Sequence, residues 1–105
     1  MIIYSRDASD DIDSIERYIR DELNNPMASQ SIIDELFKTI DRLKESPFLG
    51  PSLSPFLCVD NRDLRRIVVK NYIVVYEVTS KAIIIQRVFG GRRDWMSILS
   101  ENQNL

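Results

Sequence analysis

The side chains able to do polar chemistry are defined first by what is missing. The 105-residue sequence has no histidine, and Cys58 is its only cysteine. A serine or cysteine hydrolase with a histidine base is therefore excluded. An intramolecular disulfide is impossible, and a zinc site lacks its usual ligands. No metal or cofactor is expected. What remains is arginine, lysine, carboxylate and tyrosine. The arginines come in two adjacent pairs, Arg65-Arg66 and Arg92-Arg93, the second preceded by Gly90-Gly91 and followed by Asp94 and Trp95. Guanidinium groups grip phosphate or carboxylate through two parallel hydrogen bonds, which lysine cannot match. Each pair also has a purely structural use. Arg65 and Arg66 lie in a β-rich run and so point to opposite faces, where either can bridge to an acidic helix residue. Asp94 can cap a final helix and hold an arginine. Trp95 can stack on a base, plug a partner's pocket or pack on its own domain. Tyr72 and Tyr76 share one strand face and read as core, Arg87 reads as locally paired, and Cys58 as an inert small apolar group.

The charge of these residues is unevenly distributed. The total is −2, but residues 1–59 carry six basic and eleven acidic side chains, a net −5. Residues 60–94 carry eight basic and four acidic ones, a net +4. This permits an anionic partner on the basic half, although a merely solvated surface would look the same. An apolar share of 44% with 29% charged residues fits a globular protein, and the length fits one domain over residues 1–105. No apolar run approaches the ~20 residues that span a bilayer. No basic region followed by an apolar one opens the chain, so no secretory signal is expected. A cytoplasmic protein with no membrane partner is the resulting expectation.

The elements that must position these residues follow from apolar periodicity. Met1 to Tyr4 reads as a strand. Ser5 can cap a helix from Arg6 to Leu23, with Ala8, Ile12, Ile15, Ile19 and Leu23 on one stripe. Asn24-Asn25-Pro26 breaks the chain and caps a second helix, whose stripe is Ala28, Ile32, Leu36, Ile40 and Leu43, widened by Ile33 and Phe37. Ser46-Pro47 ends it. So short a connection predicts an antiparallel helical hairpin. Residues 47–62 hold three prolines, one glycine and several large apolar residues, including Phe56 and Leu57. A loop this long is expected to cover one end of the core or to carry function. Leu64 to Val69, Tyr72 to Val78 and Ala82 to Phe89 are β-rich runs separated by short polar breaks, which predict a three-stranded antiparallel meander. Asp94 can cap a short helix from Trp95 to Leu99, and residues 100–105 read as a frayed tail. The class is α+β, with an antiparallel four-stranded sheet on an N-terminal helical hairpin, in the order β-α-α-β-β-β with a short C-terminal helix. The hairpin should return the chain to its starting end, so that the first strand runs antiparallel to the strand starting near Leu64.

Three stretches in this order resemble the RelE/ParE superfamily of toxins from type II toxin–antitoxin systems. They are LKESPFLG (43–50), RRIVVKNYIVVYEV (65–78) and RVFGGRRD (87–94). The resemblance covers residues 4–99. It implies a toxin neutralised by a cognate antitoxin protein. RelE-like members cut messenger RNA on the ribosome, whereas ParE-like members inhibit DNA gyrase and are not nucleases. Cleavage requires activating a 2′-hydroxyl and stabilising the charge that develops at phosphorus. The nucleases often carry an arginine just after the tyrosine opening the second strand of the pair, where this sequence has Ile73. They also often carry a tyrosine after the C-terminal basic cluster, which is absent here. Arg66, Arg92 and Arg93 are the catalytic candidates if the protein is a nuclease. Arg65, Arg66, Arg92, Arg93 and Trp95 are the candidates for target binding. The two absences and the YIVVY strand resemble the ParE branch more closely. Gyrase is the expected target, with ribosome and mRNA, or an inactive toxin-like fold within an antitoxin repressor complex, as alternatives.

Overall fold

Three consecutive β-rich runs form the sheet's frame, in a computed structural model that describes residues 1–54, 61–90 and 95–101. They are β2 (Asp63–Val69), β3 (Tyr72–Val78) and β4 (Ile83–Gly90), paired antiparallel as the sequence predicts. Val69 faces Tyr72 across the Lys70-Asn71 turn, with Lys70 in the left-handed region at φ 56°. The second turn is closed by Thr79, whose N–H donates to the Ala82 carbonyl at 2.9 Å while its hydroxyl accepts from Ala82 N–H at 3.0 Å. The register of β3 on β4 slips between Val75–Arg87 and Tyr76–Ile85, which leaves Gln86 as an extra residue in β4. This bulge resets the alternation. Ile83, Ile85 and Val88 pack toward one side of the sheet, and Phe89 toward the other.

The fourth strand corrects one expectation. β1 (Ile2–Tyr4) joins the sheet beside β4, and it runs parallel to it, giving a mixed sheet of order β1-β4-β3-β2. The first strand is thus not antiparallel to β2. Two passes of helix do return the chain to one end. The segment after them then runs back along the outer edge of β2, antiparallel to it. Arg66 N–H donates to the Pro51 carbonyl at 3.2 Å, Leu53 N–H donates to the Leu64 carbonyl at 2.8 Å, and Ser52 bridges to Arg65. That extra pass reverses the end from which β2 starts. It also covers part of an edge that would otherwise present unpaired backbone groups.

Both helices start where their caps predict. Ser5 Oγ accepts from Ala8 N–H at 3.0 Å to begin α1 (Arg6–Arg17). Asn25 Oδ1 accepts from Ala28 N–H at 3.1 Å to begin α2 (Pro26–Asp41), with Pro26 in its first turn. Ser29 Oγ donates to the Glu16 carbonyl at 2.9 Å and ties the two helices into a hairpin. Between them, residues Tyr18–Glu22 widen into a π turn, in which Leu23 N–H reaches back five residues to the Tyr18 carbonyl. The wider turn carries Leu23 off the predicted stripe. Ile19 is buried, whereas Leu23 is 56% exposed. Ala8, Ile12, Leu36, Ile40 and Leu43 meet Ile67, Val69, Val74, Tyr76 and Ile85 in the main core.

The other side of the sheet is covered by α3 (Trp95–Glu101) and by the segment beside β2. Leu53, Leu64, Val75, Phe89 and Leu99 form this second cluster, with Trp95 and Ile98 against it. Part of the proline-rich segment therefore seals the core, as expected for it. Its Phe56, Leu57 and Cys58 lie outside the described residues, as does Asp94, the proposed cap of α3.

The start of that segment is clamped from the core. Tyr76, fully buried, donates its hydroxyl hydrogen to the Pro47 carbonyl at 2.9 Å and accepts from Gly50 N–H at 2.9 Å. A Cβ at Gly50 would sit 2.0 Å from the Arg66 carbonyl oxygen, so only glycine allows this approach. Gly50→Ala is expected to cost about 1–3 kcal/mol or more. Tyr76→Phe strands a buried N–H and is expected to cost about 1–3 kcal/mol. Thermal melts followed by circular dichroism check both, at roughly 4–8 °C per kcal/mol for a domain of this size.

Candidate functional site

Strand alternation sends Arg65 and Arg66 to different surroundings. Arg65 is engaged by its own domain. Its Nη1 donates to the Gly50 carbonyl at 3.0 Å, and its guanidinium lies 4.8 Å from the centre of the Phe48 ring. Its Nε lies 3.0 Å from Asp63 Oδ1, but out of line for a hydrogen bond, so that contact is Coulombic. Arg66, half-buried, takes the side of α3. Its guanidinium sits over the Trp95 ring, 5.8 Å from the centroid, within cation–π range. Two candidates 29 positions apart in sequence are thus brought together, and Arg65 is held away from them. Arg92 and Arg93 lie outside the described residues. Trp95 packs on the domain, as its structural use predicts, and still offers a face to Arg66.

Half of the described cations of the sheet half, Arg62, Arg65 and Arg87, are paired with a carboxylate. Arg87 grips Asp11 of α1 through Nε at 2.8 Å and Nη2 at 3.1 Å. Asp11 also accepts from Val88 N–H at 2.8 Å. It serves as a substitute strand neighbour where β1 has ended, because β1 pairs only with Ile83 to Ile85. Hydrogen bonding to Asp11 holds the Arg87 guanidinium still more firmly protonated, against the opposing effect of burial. Arg62 donates to Glu77 Oε1 at 2.6 Å, and Gln86 donates to the same oxygen at 3.0 Å. The Arg62 hydrogen bond holds the Glu77 carboxyl below its ordinary range. Among the described residues, Arg66, Lys70 and Lys81 are the sheet-half cations without a carboxylate partner.

The tyrosines are placed as structure rather than as acids. Burial pushes Tyr76 and Tyr72 up from their ordinary value, the Tyr18 hydroxyl adding to the effect at Tyr72. Burial likewise raises Tyr4, helped by Asp41. None is brought toward neutrality, where a general acid or base works best. No group of three or more Cys, Asp or Glu side chains able to hold a metal ion occurs among the described residues. None of their helices is long and apolar enough to cross a membrane. Beside the sheet lies an open groove of about 1070 Å³, walled by Ile15, Tyr18 and Leu23 on one side and by Val68, Lys70 and Tyr72 on the other. The π turn shapes this wall. Sequence periodicity missed it because nothing in the stripe announces a wider turn.

The chain has counterparts among known proteins. Residues 2–95 match the sequence pattern of the ParE toxin of the type II toxin–antitoxin system parDE. The chain belongs to the ParE toxin family. It is a toxin of the type II toxin–antitoxin class. No curated protein matches it. Among solved structures, a chain of the chromosomal ParDE TA system from P. aeruginosa shares the fold. The TM-score is 0.69 at 17% identity, over 85% of this chain and 92% of that one. The match within the RelE/ParE superfamily thus falls on the ParE branch, where the missing arginine at Ile73 pointed.

The Arg62–Glu77 pair gives this toxin a testable acid response. A depressed carboxyl pKa stabilises the fold fully above the ordinary glutamate value of about 4.3. That contribution is lost as the pH falls through the lower folded value. Glu77→Gln is therefore expected to be less stable than wild type at pH 6 and to lose less stability between pH 5 and pH 3. Urea melts at several pH values check this.

Proposed function

We propose that this ParE-family toxin stops growth by binding DNA gyrase in the cytoplasm, and that a cognate antitoxin neutralises it. The observation that carries this reading is the state of the polar groups on the sheet. Three arginines are held by carboxylates and the core tyrosines are pushed away from neutrality. Arg66, free of a carboxylate among the described residues, is stacked on Trp95. Such a surface suits recognition of an anionic or carboxylate-bearing target better than proton transfer to and from RNA. Ile73 in place of a basic residue leaves the strand pair without a group that RNA cleavage often uses. Arg65, engaged by Asp63 and Gly50, supports the surface from behind. Arg66, Arg92, Arg93 and Trp95 make the target contact.

The antitoxin reading is supported by the ParDE pairing of the structural relative and by the groove beside the sheet. Its apolar walls fit an amphipathic segment.

The decisive comparison measures plasmid supercoiling by purified gyrase and cleavage of mRNA on ribosomes in the presence of the same protein. Loss of supercoiling with intact mRNA is expected. Ribosome-dependent cleavage with normal supercoiling would establish the nuclease alternative. Arg66→Ala, and separately Arg92→Ala with Arg93→Ala, are each expected to weaken gyrase inhibition by roughly tenfold or more. Arg66→Ala should lower stability by no more than about 1–2 kcal/mol, as for a half-buried cation–π contact. Full inhibition by both variants would remove the basic cluster from the target contact.

A further inference from the structure

The turn at residues 46–49 is held more firmly than its surface position requires. Leu49 N–H donates to the Ser46 carbonyl at 3.1 Å and closes the turn, with Pro47 at its first corner. Tyr76 grips both flanks, bonding to the Pro47 carbonyl and the Gly50 N–H. Arg65 holds the Gly50 carbonyl and lies against the Phe48 ring. Yet the turn presents two large apolar side chains to solvent, Phe48 at 62% exposure and Leu49 at 49%. Turn tips are ordinarily glycine, asparagine, aspartate or serine. An aromatic and an aliphatic side chain carried side by side on a firmly held turn have the makings of a binding contact, with the ordering cost of the backbone already met in the free protein.

We propose that Phe48 and Leu49 form a convex apolar tip that inserts into a concave apolar pocket on the folded protein this toxin inhibits. The proposal rests on the toxin reading above and adds a contact separate from its arginines. The chemistry favours a protein over a nucleic acid. The nearest cation, Arg65, has its charge met by Asp63 and its Nη1 bound to Gly50, and Leu49 has no ring face to stack on a base. The shape favours a folded target over an antitoxin segment. A convex tip gives an extended or helical segment no trough to lie in, whereas the groove beside α1 does.

The test compares wild type, Phe48→Ser with Leu49→Ser, and Phe48→Leu with Leu49→Met, each expressed at graded levels in bacterial cells. The serine pair is expected to need roughly tenfold or more expression to stop growth. The Leu-Met pair, which keeps the tip apolar, should act like wild type. Melting temperatures should agree within about 4 °C, as exposed positions allow. Leu49→Glu, which leaves the Arg65 stack in place, serves if the serine pair melts early, and it should lose inhibition as well. Undiminished inhibition by a folded Ser-Ser or Leu49→Glu variant overturns the proposal. So does a serine pair that remains toxic but escapes the co-expressed antitoxin, which would assign the tip to antitoxin. Binding of a single-stranded RNA 12-mer by wild type that the serine pair loses would assign the tip to nucleic acid and overturn it too. Wild-type protein that leaves growth untouched would refute the toxin reading itself, and the tip with it.

Discussion

One buried hydroxyl ties the segment that leaves the helices to the sheet. Tyr76 sits in the middle of the central strand pair, inside the main core. Its ring is part of the apolar packing, but its oxygen reaches the segment that leaves the helices. The segment can be reached only because Gly50 has no side chain to strike the Arg66 backbone. Once seated, it runs down the edge of β2 and places Leu53 in the second cluster. The same pass turns the chain around, so that β1 and β4 lie parallel at the far edge of the sheet. A single tyrosine–glycine contact thus bears on topology, on edge protection and on the covering of the second face.

The same economy governs charge. The helical hairpin is acidic and the sheet basic, and the fold uses some of this opposition internally. Asp11 crosses from α1 to Arg87 and also completes the backbone bonding of β4 where the bulge and the short β1 leave a gap. Glu77 is shared by Arg62 and Gln86. These pairs are well shielded and chelated, so breaking either by removing one partner would strand the other. Arg66, by contrast, keeps only an aromatic neighbour among the described residues. That contrast is why the proposed reading gives Arg66, rather than Arg62 or Arg87, to a partner.

Much of this was legible in the sequence, for identifiable reasons. Caps are local chemistry, and Ser5 and Asn25 act where their side chains predict. Hairpins are local too, so the Lys70-Asn71 and Thr79–Ala82 turns fell in place. The opposite destinations of Arg65 and Arg66 follow from the two-residue period of a strand. What escaped was set by longer-range geometry. The direction of β1 depends on the path of the proline-rich segment, which has no periodicity to read. The exposure of Leu23 depends on a π turn, and a stripe of apolar residues does not encode turn width. The partners of Arg87 and of the Tyr76 hydroxyl lie 76 and 29 positions away, beyond any local pattern. The pairing of Arg66 with Trp95 needed the second face of the sheet to be covered by α3, which seven residues of helix do not announce.

The hold of Tyr76 on the proline-rich segment is open to direct measurement by amide hydrogen exchange at Gly50. Its N–H points at the Tyr76 hydroxyl in a buried position, so it should open only when the sheet opens. The account predicts protection at Gly50 comparable with that of Val74 and Val75 in the central strand. Exchange at Gly50 as fast as that of the exposed Ser80 and Lys81 turn would contradict it, because the segment would then be lying on the sheet without being held there.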